Sequence, residues 1–277
     1  MASFLVVPQW QGSASSRAMR LVDGADAIRG DLPLAATIVV EVPVEAGDAQ
    51  DTGVRRYASV AMTAERMRDA LARLAGPVIT VGGDCGVEFA AVTHAVRSAS
   101  GPVAVLWFDA HPDGNTPQTS PSGAFSGMVL AALAGRGVGL LSAPEGERVA
   151  EERLVLAGVR ATDPDELEGL VSRGARELGV DALDPEVLVA AVEATGAQSV
   201  YVHIDLDVLD PVELAGLFDP VPFGVRAAQL VSCLEAVRAR FPLAGAGVTS
   251  FAPASPAAAV DDLPTILRLL GALSRGA

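Results

Sequence analysis

Short apolar runs that alternate with helical segments are the feature that most restricts the fold of this 277-residue chain. The runs are rich in Val, Ile and Leu, which is typical of strands buried on both faces of a parallel sheet. The predicted strands cover residues 4–7, 37–42, 77–81, 102–108, 154–159, 199–204 and 245–250. The segments between them predict a loop and helix within 13–28 and helices over 63–74, 87–98, 127–133, 164–174, 185–194, 227–240 and 263–273. This alternation predicts an α/β fold with a mainly parallel central sheet, and the lack of a linker or repeat predicts one domain over residues 1–277.

The composition argues against several classes of partner and reaction. A net charge of -14 would repel nucleic acid and anionic membranes. All 20 basic residues are Arg, which excludes a Schiff base on lysine and a lysine-bearing phosphate loop. Two cysteines, Cys85 and Cys233, do not make a disulfide framework and fit a reducing compartment. The N-terminus resembles no signal peptide and no apolar stretch is long enough to span a membrane, so we expect a cytoplasmic protein.

The stretch from Trp107 to Gly123 carries candidate metal ligands. It begins as a buried strand and then places Asp109, His111 and Asp113 at alternate positions, which lie on one side of an extended chain. Two carboxylates and an imidazole that converge in this way repel one another unless a cation lies between them. The alternative is a solvated polar loop that follows a core strand.

Three further loops follow predicted strands, over residues 82–86, 160–166 and 205–211. Ligands bind outside the carboxyl ends of the strands in an open parallel sheet, so we expect these loops and residues 109–126 to face one cleft. Asp205 and Asp207 repeat the alternate spacing, and Cys85 offers a thiolate. This number of ligands suits two metal ions that share a carboxylate. Because most of the donor atoms are oxygens, Mn²⁺ or Mg²⁺ is favoured.

Three motifs resemble those of the arginase and agmatinase family of ureohydrolases: GGDCG at 82–86, WFDAHPDGNTPQTSPSG at 107–123 and HIDLDVLDP at 203–211. The resemblance implies a three-layer α/β/α fold, a homo-oligomer (trimer or hexamer) and a small-molecule guanidino or amidino substrate. It also implies two Mn²⁺ ions. One would be bound by Cys85, Asp109, Asp113 and Asp205, and the other by Asp109, His111, Asp205 and Asp207, with Asp109 and Asp205 bridging.

The resemblance also assigns candidate substrate-binding residues. Asn115, Ser120 and Ser122 match the positions that bind an α-carboxylate in arginases, and Asp163 and Glu166 match those that bind the α-amino group. Neutral donors on one side and carboxylates on the other suit a zwitterion. This favours an arginine-like amino acid over a decarboxylated amine such as agmatine.

The predicted catalytic positions, Asp113, Ser126 and Ser250, include two departures from the family. Ser126 replaces a histidine and Ser250 a glutamate that grips the guanidinium, while Cys85 replaces the first metal-binding histidine. Serine neither forms a bidentate charged pair with a guanidinium nor carries a proton as imidazole does. A thiolate matches manganese poorly, so we expect one site to be weak or to hold another divalent metal.

These features lead to three functional hypotheses. The first is a ureohydrolase-type enzyme in which metal-bound hydroxide attacks the guanidino or amidino carbon of an arginine-like amino acid, such as Nω-hydroxyarginine. The second is an ordinary arginase or agmatinase. The third is a metal-poor relative that serves as a binding or assembly protein. His203 shares a face with Asp205 and Asp207, and we interpret it as a buried residue beneath the cluster rather than as a ligand.

Overall fold

The computed structural model describes residues 2–275 and contains one sheet of eight strands. Every strand pair is parallel, in the order β2-β1-β3-β8-β7-β4-β5-β6. The strands are β1 (Ser3–Val7), β2 (Thr37–Val39), β3 (Val78–Gly82), β4 (Val103–Phe108), β5 (Leu154–Ala157), β6 (Arg176–Leu178), β7 (Ser199–Asp205) and β8 (Leu243–Thr249). The predicted α/β fold with a mainly parallel sheet is therefore confirmed.

Helices cover both faces of the sheet. They are α1 (Arg20–Arg29), α2 (Tyr57–Leu71), α3 (Glu88–Ser98), α4 (Val129–Ala131), α5 (Glu166–Ser172), α6 (Pro185–Glu193), α7 (Ala227–Arg240) and α8 (Pro256–Ser274). Alternate residues of β1 show the layering: Phe4 and Val6 pack in the core beneath α1, α6, α7 and α8, whereas Leu5 and Val7 pack in the core beneath α2, α3 and α4. The molecule is thus a three-layer α/β/α sandwich.

Some predicted elements differ from the structure. The run at 37–42 is not a buried strand, because β2 is three residues long and lies at the sheet edge, where Val39 is 45% exposed. Helix α2 begins at Tyr57, six residues before the predicted start at 63. Helix α8 begins at Pro256, capped by Ser255, seven residues before the predicted start at 263. Strand β6 was not predicted.

The strand order gathers the loops that carry polar residues. Strands β3, β8, β7, β4 and β5 are consecutive neighbours, and their carboxyl ends meet at one edge of the sheet. Asp205 pairs in register with Thr249, and Phe108 pairs with Ile204, so Asp109 and Asp205 lie on adjacent strand ends. Among residues 2–275, no helix combines the length and apolar character needed to cross a membrane.

Candidate active site

One cleft of about 430 Å³ opens at this edge of the sheet. All thirteen site residues predicted from the sequence line it: Cys85, Asp109, His111, Asp113, Asn115, Ser120, Ser122, Ser126, Asp163, Glu166, Asp205, Asp207 and Ser250. The prediction that the four loops face one cleft is therefore confirmed, whereas the role of each residue stays a prediction.

The floor of the cleft is a cluster of buried carboxyl groups. Asp109 and Asp113 follow β4, and Asp205 and Asp207 lie at the end of β7; each is at most 5% exposed. Burial raises the pKa of Asp113 and Asp207 well above the usual range, and the charges of neighbouring aspartates raise it further. The pKa of Asp205 is raised by burial and by the charge of Asp109. Such a cluster calls for a neutralising cation.

Asp109 differs from the other carboxylates of this cluster, because its pKa is lowered. Its oxygens accept hydrogen bonds from Trp107 Nε1 at 3.1 Å and from the backbone N–H of His111 at 2.7 Å. Although burial acts to raise its pKa, the imidazoles of His111 and His203 outweigh burial and lower it. Asp109 thus stays ionised while the aspartates around it tend to hold protons.

His111 lies between two carboxylates at the rim of the cluster. Its Nδ1 is 3.0 Å from Asp207 Oδ2 and 3.4 Å from Asp109 Oδ1. Burial lowers the pKa of His111, but these two carboxylates outweigh it and raise the pKa to about 12. A divalent ion bound by the same groups would compete with the proton on His111.

Two sets of donor atoms have the chemistry to bind an ion. Within each set, the atoms lie within 4.8 Å of one another. One set comes from Cys85, Asp109, His203 and Asp205, and the other from Asp109, His111 and Asp207. Asp109 belongs to both, as a bridging ligand would. Relative to the ligand sets that the resemblance implies, His203 replaces Asp113 in the first set, and Asp205 is absent from the second.

Asp113 nevertheless lies in the same cleft, and one of its carboxylate oxygens makes no hydrogen bond to the described residues. Its Oδ2 is buried and has no hydrogen-bond partner among residues 2–275. Its φ of 46° is in the left-handed region, which is uncommon for a residue with a side chain. Strain of this kind is often retained at functional positions.

Cys85 and Ser250 contact the cluster from β3 and β8. The Cys85 thiol donates a hydrogen bond to Asp205 Oδ2 at 2.7 Å, and the Ser250 hydroxyl donates to the same oxygen. Burial raises the pKa of the Cys85 thiol well above its usual range, and the charges of Asp205, Asp113 and Asp109 raise it further. Cys85 is therefore a neutral thiol until a cation lowers its pKa.

Two buried residues lie next to the cluster, and only the first was expected there from the sequence. His203 lies next to the cluster, with Nε2 at 3.8 Å from Asp109 Oδ2 and Nδ1 at 3.4 Å from Glu88 Oε2. Glu88 was not predicted as a site residue, although it is completely buried and accepts a hydrogen bond from Tyr201. The signal was a glutamate at the start of α3, directly before four apolar residues at 89–92.

The other end of the cleft has the polar groups expected to bind an amino acid. Asn115 Nδ2 donates to Asp163 Oδ2 at 2.9 Å, which joins the two loops. The hydroxyl groups of Ser120 and Ser122 are 3.4 Å apart and accept the backbone N–H groups of Gly123 and Ala124, so their protons remain for each other or for a ligand. Both oxygens of Glu166 accept backbone N–H groups, which commits this side chain to the loop.

Together, the sheet and the acidic cleft define a three-layer α/β/α protein with a candidate site for divalent metal ions. A sequence profile described as the arginase family matches residues 14–260, and the chain belongs to this family.

Two curated relatives and one solved structure illustrate the similarity. The arginase of Bacillus caldovelox is 30% identical over 208 residues, which cover 71% of this chain and 67% of the relative. The N(omega)-hydroxy-L-arginine amidinohydrolase of Streptomyces lavendulae is 32% identical over 163 residues, or 58% of this chain and 56% of the relative. The crystal structure of Entamoeba histolytica arginase in complex with L-ornithine has a TM-score of 0.85 at 20% identity and covers 98% of this chain and 97% of that one.

The sequence matches cover only part of the curated arginases. The chain spans 62–67% of the length of three arginases that it matches. The structural similarity is at low identity and shows the fold alone.

Proposed function

We propose that this protein is a metal-dependent amidinohydrolase that hydrolyses the guanidino group of an arginine-like amino acid, with Nω-hydroxy-L-arginine preferred. The observation that carries the proposal is one cleft that joins an acidic, metal-type cluster to groups suited to an amino acid zwitterion. Family membership supports the reaction class, and the relative from Streptomyces lavendulae supports the N-hydroxylated substrate.

The donor groups fit two divalent ions. The set of Asp109, His111 and Asp207 is rich in oxygen and suits Mn²⁺, whereas the set that contains Cys85 is softer and suits another metal or weak occupancy. When bound, such ions supply Lewis-acid activation of water near neutral pH. Asp113 Oδ2 has no partner among the described residues, so it is able to bind an ion or to accept a proton from the reacting water.

Side chains that are already hydrogen-bonded in pairs within the cleft would recognise the amino acid end of the substrate. Asn115 and the hydroxyl groups of Ser120 and Ser122 would donate to the α-carboxylate, and Asp163 would accept from the α-ammonium group. Glu166 would hold the loop that presents Asp163, because its two oxygens bond to the backbone N–H groups of Gly114 and Asp163.

The residues at the end of the cleft near the acidic cluster favour a modified guanidine as the reacting group. Ser250 donates its hydrogen bond to Asp205, so this position offers no carboxylate to pair with a guanidinium. Ser126 likewise offers no imidazole as a proton carrier. An N-hydroxyguanidine is less basic than a guanidine and depends less on both groups.

The test is turnover by the metal-loaded protein. Protein freed of metal by chelation is reloaded with Mn²⁺, Zn²⁺ or Fe²⁺ and incubated with Nω-hydroxy-L-arginine, L-arginine or agmatine. Hydrolysis of the first yields L-ornithine and hydroxyurea, and of the second L-ornithine and urea. We expect kcat/KM for Nω-hydroxy-L-arginine to exceed that for L-arginine by at least about ten-fold, and agmatine to be poorest.

Asp109→Asn is the matched control, because it preserves shape but removes the charge shared by both donor sets. It should abolish turnover. Preference for L-arginine or agmatine would instead support an ordinary arginase or agmatinase. Metal-loaded protein that turns over none of the three would overturn the proposal, and protein that also binds no metal would be a binding or assembly protein.

A further inference from the structure

His203 is a buried imidazole without ordinary hydrogen bonds. It lies in β7, is 0% exposed and stacks on Trp107 with ring centroids 3.6 Å apart. Neither ring nitrogen has a hydrogen-bond partner among residues 2–275. An unsatisfied buried polar group costs about 1–3 kcal/mol, and the nearest acceptors, Glu88 Oε2 and Asp109 Oδ2, lie at 3.4 and 3.8 Å, so a closer partner would stabilise this enclosed histidine.

A metal ion on the Nε2 side of the ring would be such a partner. Donor atoms of Cys85, Asp109, His203 and Asp205 all lie within 4.8 Å of one another, and Nε2 is 3.8 Å from Asp109 Oδ2. Four ligands at about 2.0–2.3 Å from one tetrahedral ion are separated by about 3.3–3.8 Å. The four donors therefore require only a small contraction to surround a single ion.

The other side of the ring has the support expected of a metal ligand. Nδ1 is 3.4 Å from Glu88 Oε2, and that oxygen accepts a hydrogen bond from Tyr201 at 2.7 Å. Metal-binding histidines usually donate their second N–H group to a carboxylate, which sets the orientation of the ring. Glu88 reaches this position only because β8 has a glycine opposite it: a Cβ on Gly247 would lie 2.0 Å from Glu88 Oε1.

We propose that His203 is a ligand of the ion bound by Cys85, that Glu88 and Tyr201 hold its ring in place, and that this site prefers Zn²⁺, Co²⁺ or Fe²⁺ to Mn²⁺. The inference rests on the proposed metal centre, but not on the proposed substrate. One sulfur, one nitrogen and two carboxylate oxygens form a softer, four-coordinate set than manganese favours. His203 would supply the nitrogen ligand that is lost because Cys85 replaces the first metal-binding histidine of the family.

The test uses the full-length protein freed of metal and titrated with Co²⁺, with absorption spectra as the readout. Wild-type protein should show a thiolate-to-cobalt charge-transfer band and intense visible bands typical of four-coordinate Co²⁺. Cys85→Ser should lose the charge-transfer band. His203→Ala should keep that band but lose intensity in the visible bands and bind Co²⁺ at least about ten-fold more weakly, and free imidazole should restore the spectrum.

Two further variants keep the test decisive. Glu88→Gln removes only the charge behind the ring and should weaken Co²⁺ binding by about 10–100-fold, even if His203→Ala fails to fold. His111→Ala removes a ligand of the other donor set and should leave the thiolate band and its visible bands in place. A higher affinity for Mn²⁺ than for Zn²⁺ at the thiolate site would contradict the proposed preference.

The outcomes separate this inference from the proposed function. If wild-type protein binds Co²⁺ with a thiolate band, but His203→Ala and Glu88→Gln leave the spectrum and affinity unchanged, only the inference is wrong. Weaker binding with unchanged visible bands would make His203 a positioning residue and overturn its assignment as a ligand. If wild-type protein binds no divalent metal, the inference and the proposed metal centre are both wrong.

Discussion

Asp163 and Glu166 were predicted as a pair, yet their carboxylates have different partners. Glu166 accepts the backbone N–H groups of Gly114 and Asp163, so its charge is used within the protein. Asp163 instead accepts from the side chain of Asn115, and this bond lies in the cleft where a ligand can compete for it. The difference predicts that Asp163 contacts the substrate and that Glu166 shapes the loop.

Asp163→Asn should raise KM for the amino acid substrate by about 10–100-fold with little change in kcat. A hydrogen bond to a charged group contributes about 1.5–3 kcal/mol, and about 1.4 kcal/mol corresponds to a factor of ten. Steady-state kinetics with the amino acid and with 5-guanidinovaleric acid, which has no α-amino group, checks this. The KM of the deaminated compound should not change, and an equal rise for both compounds would contradict the assignment.

Restoring the three family residues should move the activity toward L-arginine. Cys85→His, Ser126→His and Ser250→Glu together would supply a nitrogen ligand, a proton carrier and a partner for the guanidinium. We expect kcat/KM for L-arginine to rise by about 10²-fold or more, measured as urea release.

The matched control for this variant has Gln at position 250. Ser250 already has a φ of 68°, so the backbone accommodates a side chain there in either variant. Glutamine has nearly the length of glutamate but makes no charged pair, so most of the gain should disappear. An equal gain with Gln, or no gain in a folded and metal-loaded triple variant, would disprove the role assigned to position 250.

Among the elements, the loop after β3 packs closely against the segment that follows β1. Asp84 accepts hydrogen bonds from Gln9, Gly12 and Gly86, which joins the end of β1 to the start of the cleft. Burial raises the pKa of Asp84 to about 6, against the effect of these donors. A Cβ on Gly83 would lie 1.7 Å from the carbonyl oxygen of Gln9, so this strand end requires a glycine.

Gly83→Ala should therefore destabilise the protein, whereas Gly179→Ala should have little effect. The first change forces two backbone segments apart, which typically costs about 1–3 kcal/mol, and the second meets no atom within 4 Å. Chemical denaturation measures both. A similar loss of unfolding free energy in the two variants would show that the close contact between residues 9 and 83 is not important for stability.

The elements also show what sequence patterns reveal. Central strands such as β4 were recognisable because burial on both faces requires a continuous apolar run. The run at 37–42 is also rich in β-branched apolar residues but lies at the edge, and neighbouring strands are not visible in a local pattern. The start of α2 was missed because Arg56 precedes it with a φ of 56° and makes no side-chain cap.

At the scale of the whole molecule, the sheet order explains which parts of the site were predictable. Acids directly after apolar runs, such as Asp109 and Asp205, were found because parallel strands end at one edge. The link between His203 and Glu88 was not found, because it spans 115 residues and depends on how α3 packs across β7 and β8. Local patterns thus predict the strand ends, whereas contacts across the layers require the structure.

Metal binding should stabilise the whole fold, because the cluster holds acids from two adjacent strands against their mutual repulsion. A ligand at 100 times its Kd contributes about 2.7 kcal/mol, which corresponds to a rise in Tm of several degrees for a chain of this size. Thermal unfolding before and after Zn²⁺ or Mn²⁺ is added to chelated protein checks this. Asp109→Asn should lose most of the rise, because both donor sets include Asp109.

The rise in Tm should also increase with pH. In the metal-free fold the pKa values of Asp113, Asp205 and Asp207 are raised by burial, so these groups hold protons that the unfolded chain has released. The stability of the metal-free fold therefore falls as pH rises through those values, while the ionised carboxylates bind a cation more tightly. A rise in Tm that is the same at mildly acidic and mildly alkaline pH would show that the ions bind elsewhere than this cluster.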